Sequence, residues 1–276
     1  MQRGEEQHSL CFWHLFCVLI LRGRYLSARS SGPASPVEAC HPRMHAYYTA
    51  RVSDFYLYRW HNSCIIDTTI LDGMNSMITG IDLSDKNGRV DWELLGKGEI
   101  QFAYLKASEA LDIVDPAFEE NLKNARDRGI LVGAYHWLHP GLHVGQQADL
   151  FVDLVRTFKG MLRPAVCLEM YKAPKEETEK NIRAFLALLE RRIGIRPMIY
   201  TSDNYWKNYL PEAGWGCDYP LWLDKPGTIW PPQIWPWAGW TFWQHSYQAR
   251  LPGVPVNLGL NFFNGSREEL EAMVVQ

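Results

Sequence analysis

The sequence predicts an α/β fold, a modified (β/α) barrel of about eight strands with a helix-poor second half. From Met77 onward, short apolar runs typical of buried strands alternate with amphipathic helical patterns across short connections. The last three strand patterns follow one another without a full helix between them. Acidic residues stand at the carboxyl ends of two predicted strands, where side chains of such barrels converge.

The first half of this region contains regular strand and helix patterns. Asp115 and Pro116 predict a helix start, because Asp accepts hydrogen bonds from the free amides of a first turn and Pro fits within it. Gly129 predicts the end of that helix. Four strands are predicted around it, each as a short apolar run: Ile78–Asp82, Gln101–Lys106, Ile130–Trp137 and Pro164–Leu168.

Two further helices and four further strands complete the pattern. Gln146–Lys159 has one apolar face and predicts a helix. Another helix begins near Pro174, and Ile182, Phe185, Leu186 and Leu189 give it a core-facing stripe. The remaining strands are predicted at Arg196–Thr201, Tyr219–Asp224, Gly239–Gln244 and Val256–Phe262.

Residues 1–76 lack a sustained helical or alternating pattern. The apolar run Leu10–Leu21 has the length of a signal-peptide core, but it contains His14 and follows acidic residues. Two interpretations stay open: an upstream extension that precedes a natural start at Met77, or a secretory or anchoring leader with a poorly ordered linker. We therefore divide the chain into an extension, 1–76, and a barrel, 77–276.

Composition excludes some classes of function. The 276 residues are 47% hydrophobic and 21% charged, which is ordinary for a globular protein with a large core. A net charge of −3 gives no electrostatic basis for binding nucleic acid. The apolar run near the amino terminus is too short for a clear membrane span, so we expect no stable membrane insertion.

Two acidic residues are the main candidates for chemistry. Asp82 ends the first predicted strand, and Glu169 follows Ala165-Val-Cys-Leu168 at the end of the fourth. In barrels of this type the carboxyl ends of the strands lie at one edge. We therefore expect these carboxylates to meet there, together with other polar residues at strand ends: Lys106, His136, Tyr200 and Asp224.

Several short, distinctive segments follow one another along the whole predicted barrel. They are Gly80-Ile-Asp82 with Ser84, Phe102-Ala-Tyr-Leu-Lys-Ala-Ser108, Val114-Asp-Pro-Ala-Phe118, Gly133-Ala-Tyr-His136, Leu168-Glu169, Pro197-Met-Ile-Tyr-Thr201, Pro220-Leu-Trp222, Trp240-Thr-Phe-Trp-Gln244 and Asn261-Phe-Phe-Asn-Gly265. In these segments residues 77–276 resemble glycoside hydrolase family 25, the phage and bacterial lysozymes of the Chalaropsis type. Residues 1–76 take no part in the resemblance.

The resemblance implies a TIM-like barrel and a peptidoglycan hydrolase. Such an enzyme cleaves the β-1,4 bond between N-acetylmuramic acid and N-acetylglucosamine, without a metal or organic cofactor. By matching position, Glu169 is the expected proton donor and Asp82 the assisting carboxylate. We expect a monomeric bacteriolytic enzyme of phage or prophage type, an endolysin, that acts extracellularly or is released to the bacterial cell wall.

Aromatic and basic residues in the matching segments are expected to bind the sugar. Alternatives stay open for some of them: the tyrosine hydroxyls could satisfy one another or the backbone, and Lys106 could pair with an acid. We interpret His136 as a packed, hydrogen-bonded residue rather than a catalyst. The expected substrate-binding residues are Tyr104, Lys106, Tyr135, Tyr200, Trp222 and Trp243.

The sequence departs from the family pattern at two acidic positions. Cys167 stands where the family has the first acid of Asp-x-Glu, and Gly259 stands where the family has the acid of Asp-Leu-Asn-x-Phe. A thiol is largely neutral near pH 7 and cannot replace a carboxylate. A smaller change puts Ala110 where the family has glycine. These departures leave an alternative function open, a catalytically inactive glycan-binding or relic member of the same fold.

Overall fold

The computed structural model describes residues 77–95, 100–155, 158–171 and 173–276, and these residues form a closed, mixed barrel of eight strands. The prediction for 1–76 lies outside these residues. A ninth, two-residue strand extends the sheet at one edge. The strands are β1 (Ile78–Leu83), β2 (Ile100–Glu109), β3 (Ile113–Val114), β4 (Leu131–Trp137), β5 (Ala165–Leu168), β6 (Met198–Ser202), β7 (Leu221–Asp224), β8 (Phe242–Ala249) and β9 (Leu258–Phe263).

Strand β9 closes the barrel and gives it its mixed character. Strands β1, β2, β4, β5, β6, β7 and β8 pair in parallel in this order. Strand β9 lies antiparallel between β8 and β1, and short β3 pairs antiparallel with β2 outside the ring. The predicted fold class, a modified TIM-like barrel, is confirmed.

Aromatic rings fill the interior of the barrel. Phe102 and Tyr104 on β2 point inward and pack at 4.9 and 5.4 Å, centroid to centroid, against Phe242 on β8. Glycines on the neighbouring strands make room for them: a Cβ at Gly80 would lie 2.4 Å from the Phe102 ring, and one at Gly133 would lie 2.2 Å from the Tyr104 ring. The barrel interior therefore requires glycine at positions 80 and 133, which both lie in the segments quoted above.

Helices pack against the outer face of the sheet. After β7, no α-helix separates the remaining strands among the described residues, so the helix-poor second half is confirmed. Two 3-10 helices, Asp85–Asn87 and Gly214–Asp218, supplement the α-helices. The α-helices are α1 (Trp92–Leu95), α2 (Phe118–Arg126), α3 (Val144–Val155), α4 (Lys175–Ile193), α5 (Asp203–Tyr209) and α6 (Arg267–Glu271).

The predicted apolar stripe of α4 forms part of the core. Its residues Ile182, Phe185, Leu186 and Leu189 are all fully buried. They belong to the apolar layer between the outer face of the sheet and the helices, together with Phe151 of α3. Gly194, at a φ of 74°, ends α4 in the left-handed conformation that favours glycine.

Helix bounds differ from the predictions at three ends. Helix α2 begins at Phe118, and Asp115 accepts a hydrogen bond from the Ala117 amide at 2.9 Å just before it. Helix α2 ends at Arg126, before the predicted Gly129, and helix α3 begins two residues earlier than predicted. The short elements α5, α6 and β3 were not predicted, because five to seven residues, or two for β3, carry too little periodicity. Helix α1 was not predicted either.

Among the described residues, no helix is long and apolar enough to cross a membrane.

Candidate active site

A pocket of about 250 Å³ lies where the carboxyl ends of the strands meet. Aromatic residues form part of its lining, and one of them, Trp222, is only 2% exposed. Both predicted acids face it. Its lining residues include Asp82, Ser84, Lys86, Tyr135, Trp137, Cys167, Glu169, Tyr200, Trp222, Gln244, Tyr247 and Gly259.

A larger cavity, about 490 Å³, lies at the opposite end of the barrel. Arg163 precedes β5 and Thr241 precedes β8, so this cavity faces the amino-terminal ends of the strands. Its charged residues are two arginines and Asp218. We place the site in the smaller pocket, because it contains the two acids that glycoside hydrolysis requires.

Asp82 is held at the end of β1 by two amide side chains. Gln244 Nε2 and Asn261 Nδ2 each donate to its Oδ1 atom at 2.7 Å. Asn261 is held in turn by the Trp222 indole, which donates to its Oδ1 atom at 2.8 Å. Burial raises the pKa of Asp82 to about 6, the negative charge of Asp224 adds to the rise, and the two amide hydrogen bonds oppose it.

Gly259 lies directly opposite Asp82 in the β1–β9 pair. A Cβ at position 259 would lie 1.9 Å from Asp82 Oδ1 and 2.3 Å from Gln244 Nε2. The space that a side chain at 259 would need is therefore occupied by the Asp82 carboxylate and its amide partner.

Glu169 follows β5 directly and lies half-buried at the pocket. Its backbone carbonyl accepts a hydrogen bond from the Trp137 indole at 3.3 Å. The next residue, Met170, has a φ of 59°, a left-handed conformation that turns the chain sharply after Glu169. Burial, followed by the charges of Asp224 and Asp82, raises the pKa of Glu169 to about 7. A carboxylic acid that keeps its proton near neutral pH can act as a general acid.

Cys167 lies on the same inward face of β5 as Glu169 and is buried in the pocket wall. Burial raises the pKa of its thiol well above the ordinary value, and the charges of Glu169, Asp224 and Asp82 raise it further. The thiol therefore stays neutral and adds no negative charge.

Two tyrosines connect the amide and acid groups on the β6–β8 side. The Tyr200 hydroxyl donates to Gln244 Oε1 at 2.5 Å, which orients the amide that holds Asp82. The Tyr247 hydroxyl donates to Asp224 Oδ1. Burial raises the pKa of Tyr200 well above its usual range, so this hydroxyl keeps its proton and remains a donor.

The structure brings together three of the six predicted substrate-binding residues and both predicted catalytic residues. Tyr135, Tyr200 and Trp222 line the pocket with Asp82 and Glu169.

The other three predicted substrate-binding residues lie elsewhere. Tyr104 is fully buried, and its hydroxyl donates to the carbonyl of Arg163 towards the amino-terminal end of the barrel. Trp243 is fully buried on the outer face of β8, with its indole donating to the Lys225 carbonyl. Lys106 is buried in an ion pair with Glu109 at 2.5 Å. The structure therefore does not place these three side chains in the lining of the pocket that holds the two acids.

His136 also lies away from the pocket. It is fully buried on the helix-facing side of β4, because it alternates with the inward-facing Tyr135. Its ring contacts Ser108 Oγ at 2.8 Å and Gln147 Oε1 at 3.3 Å and stacks on Phe185. Burial lowers its pKa to about 4, so it is neutral. The interpretation as a packed residue agrees with this position, whereas the expected place among the strand-end residues was wrong.

Sequence reasoning missed several pocket residues. Gln244 and Asn261 stand in quoted segments, and their amides hold Asp82, but nothing in the sequence indicated that they point inward. Trp137 and Tyr247 line the pocket and were not singled out. A strand register would have identified them, because Trp137 and Gln244 alternate with residues that face the helices.

The described residues contain no group of three or more His, Cys, Asp or Glu side chains that could hold a metal ion. A closed mixed barrel with a half-buried acid of raised pKa beside a second, amide-held carboxylate is the arrangement of a glycoside hydrolase.

Comparison with known proteins defines the family. Residues 81–254 match the model for "Glycosyl hydrolases family 25". YegX of Escherichia coli K12 is 34% identical over 204 residues, which cover 71% of this chain and 73% of YegX. Lysozyme M1 of Streptomyces globisporus is 31% identical over 222 residues, covering 75% of this chain and 74% of that protein.

Solved structures agree with these sequence relatives. The bacterial lysozyme from Streptomyces coelicolor superposes with a TM-score of 0.69 at 29% identity, over 72% of this chain and 97% of that chain. A family 25 glycosyl hydrolase from Bacillus anthracis gives 0.65 at 28% identity, over 72% and 94%. The chain belongs to glycosyl hydrolase family 25 and is a glycoside hydrolase of the lysozyme class.

Proposed function

We propose that the protein hydrolyses the β-1,4 bond between N-acetylmuramic acid and N-acetylglucosamine in bacterial peptidoglycan. The observation that carries this proposal is the position of Glu169, a half-buried acid with a pKa of about 7 in the same pocket as Asp82. Family membership and the lysozyme relatives support peptidoglycan as the substrate class. The bond and the residue roles are our inference.

Glu169 acts as the proton donor in this proposal. A glycosidic oxygen is a poor leaving group, so it must be protonated as its bond to the anomeric carbon breaks. Glu169 is still partly protonated near pH 7, because burial and two neighbouring carboxylates disfavour its charged form and raise its pKa to about 7. It gives this proton to the leaving oxygen.

Asp82 acts as the assisting carboxylate. The anomeric carbon gains positive charge as the bond breaks, and a nearby negative charge or the substrate's acetamido group stabilises it. The amides of Gln244 and Asn261 fix the Asp82 carboxylate and favour its charged form. With pKa values of about 6 for Asp82 and about 7 for Glu169, the required pair of an ionised Asp82 and a protonated Glu169 is most populated between pH 6 and 7.

Digestion of purified peptidoglycan by the full chain tests the proposal. We expect soluble fragments with new reducing-end N-acetylmuramic acid in mass spectra, with kcat/KM greatest between about pH 6 and 7. Glu169→Gln keeps the shape of the side chain but cannot donate a proton as an acid, so we expect a loss of about a hundredfold or more. Glu119→Gln, at an exposed position of α2, is the matched control and should behave as the unchanged protein.

Three results would contradict the proposal. Equal rates for Glu169→Gln and Glu119→Gln would remove Glu169 from its role. New reducing-end N-acetylglucosamine would show that the other bond is cleaved. No release by the folded protein, with retained affinity for glycan, would instead support the catalytically inactive alternative, which Cys167 and Gly259 suggest.

The substrate class also bears on where the protein acts. Peptidoglycan lies in the bacterial cell wall, so we propose that the protein acts there after export or release. Fractionation of producing cells and their medium tests this, and a protein confined to the cytoplasm throughout growth and lysis would contradict it.

A further inference from the structure

Asp224 is a buried carboxylate beside the pocket that has no role in the mechanism above. It ends β7 and is 7% exposed. Strand register places it near Glu169: Leu168 pairs with Thr201, and Ser202 pairs with Asp224. Glu169 and Asp224 therefore stand at one level of the barrel with only β6 between them, across two strand spacings of about 4.8 Å each.

The side chain of Asp224 points to the pocket side of the sheet. On β7, Trp222 faces the barrel interior and Leu223 packs among the helices, so alternation turns Asp224 inward. Its register partner on β8 is Gln244, the amide that holds Asp82. The hydroxyl of Tyr247, a pocket-lining residue, donates to Asp224 Oδ1 and fixes the carboxylate in this place.

The negative charge of Asp224 changes the pKa values of the acids in the pocket. It raises the pKa of Glu169 more than any other neighbouring charge does, and it also raises the pKa values of Asp82 and Cys167. Burial raises the pKa of Asp224 itself, while the Tyr247 hydrogen bond opposes this rise and favours the charged form. The charge of Asp224 thus acts on the neutral thiol that occupies the family's acidic position.

We propose that Asp224 is a positioning residue for Glu169, and that it supplies the pocket with the negative charge that a thiol at position 167 cannot. This inference rests on the proposed function, since it assigns Asp224 a part in the same reaction. Asp224 acts through Glu169: its charge keeps the proton on the donor until the glycosidic oxygen takes it. The carboxylate that the family carries on β5 beside the proton donor is thus supplied by β7 in this protein.

Other groups around Glu169 have to be separated from Asp224 in any test. Asp82 on β1 is the other carboxylate, and Lys86 is a nearby cation in the pocket lining. Lys106 on β2, paired with Glu109, is a second cation, 5.2 Å from the centroid of the pocket-lining Trp137 ring. The other titratable residues of the pocket lining are neutral near pH 7, because burial raises their pKa values; they are Tyr135 on β4, Cys167 on β5, Tyr200 on β6 and Tyr247 on β8.

A titration of Glu169 tests the inference without any need for hydrolysis. In the full chain labelled with ¹³C at glutamate side-chain carboxyls, the Glu169 signal is assigned by its loss in Glu169→Gln. We expect Asp224→Asn to lower the pKa of Glu169 and Asp224→Glu to restore it. Asp203→Asn, which removes an acid that follows β6 and pairs with Lys207, is the control and should leave the titration unchanged.

Tyr247→Phe provides a second variant in which Asp224 itself stays. Loss of the hydroxyl removes a hydrogen bond that favours the charged form of Asp224. Asp224 is then more protonated near pH 7, so we expect the Glu169 titration to move in the same direction as in Asp224→Asn, by a smaller amount. This variant decides the matter if Asp224→Asn fails to fold.

The pH profile of kcat/KM on peptidoglycan gives the functional readout. A lower pKa at Glu169 moves the alkaline limb to lower pH, so we expect Asp224→Asn to lose about tenfold at pH 8. Because Asp224 also raises the pKa of Asp82, the acid limb should move in the same direction, and activity at pH 5 should not fall. If Asp224 takes the place of an acid at 167, Cys167→Asp in the Asp224→Asn background should recover the alkaline limb.

The two measurements separate this inference from the proposed function. An unchanged Glu169 titration in Asp224→Asn and in Tyr247→Phe would overturn the role of Asp224, whatever the protein hydrolyses. A shifted titration in a protein that releases no muramic-acid ends would uphold the role of Asp224 towards Glu169 and overturn the proposed reaction.

Discussion

Asp82 and Gly259 share one space between β1 and β9. The sequence suggests that glycine here is the loss of an acid, but the structure adds that any side chain at 259 would displace the Asp82 carboxylate from its amide partners. Replacing Gly259 by aspartate would therefore not simply restore the family pattern, since Asp82 and Gln244 would have to move.

Substitution of Gly259 by alanine measures this crowding. A Cβ only 1.9 Å from Asp82 Oδ1 forces the carboxylate to move, so we expect Gly259→Ala to lower the free energy of unfolding by about 1–3 kcal/mol. Urea denaturation measures the change. Gly214→Ala is the matched control, because the nearest atom to its Cβ would be Trp235 Cζ2 at an ordinary 3.7 Å. Equal stabilities of the two variants would show that the space at 259 is free.

The acids were predictable from the sequence, while the faces of their neighbours were not. Asp82 and Glu169 end apolar strand patterns within recognisable segments, so the sequence indicated where both acids lie and that they are carboxylates. Phe242 and Trp243 are both aromatic and both buried, yet one fills the barrel and the other packs on its outside. A strand buried on both faces has no polar alternation to show which side is inward.

At the scale of elements, helix α4 carries a large share of the outer core. Leu186 is fully buried against the sheet, so Leu186→Ala removes buried methyl groups and leaves a cavity. We expect a loss of about 2–5 kcal/mol in the free energy of unfolding. Thermal and urea unfolding of Leu186→Ala beside Leu188→Ala, a half-buried neighbour on the same helix, measures it. A larger loss at Leu188 would contradict the assigned face.

Element prediction succeeded where periodicity was long and failed where it was short. The α4 stripe spans two turns and identified the buried face correctly. Helix α5 has seven residues and α6 has five, so neither shows a repeated stripe. The left-handed φ of 51° at Ala110 gives the physical reason for glycine at that place in the family pattern, and it could be seen only in three dimensions.

For the whole molecule, the acidic pocket makes stability depend on pH. Asp82 and Glu169 have folded-state pKa values of about 6 and about 7, above the values near 4 expected in the unfolded chain. Between about pH 4 and pH 7 the folded state therefore holds protons on these two groups that the unfolded state has released. The stability from these groups is therefore fully present below about pH 4 and is lost as pH rises through 6 and 7.

Glu169→Gln should remove part of this loss. We expect the variant to be more stable than the unchanged protein at pH 8 by about 1–2 kcal/mol, a figure reduced for the partial exposure of the carboxyl group. At pH 4 the two should be equal within error. Urea unfolding at both pH values measures the difference, with Glu119→Gln as the exposed control. A variant that is less stable at pH 8 would contradict the raised pKa.

The pairing of β9 with β1 also determines at what stage of synthesis the site can form. Asp82 lies near the start of the barrel, but its amide donors Gln244 and Asn261 come 162 and 179 residues later in the chain. The barrel closes only when β9 pairs with β1. A nascent chain still on the ribosome before residues 258–263 have emerged therefore has Asp82 without its second amide and an open sheet in place of the pocket. Pairing of β9 with β1 is therefore the step that supplies Asn261 to Asp82 and closes the barrel around the acid pair.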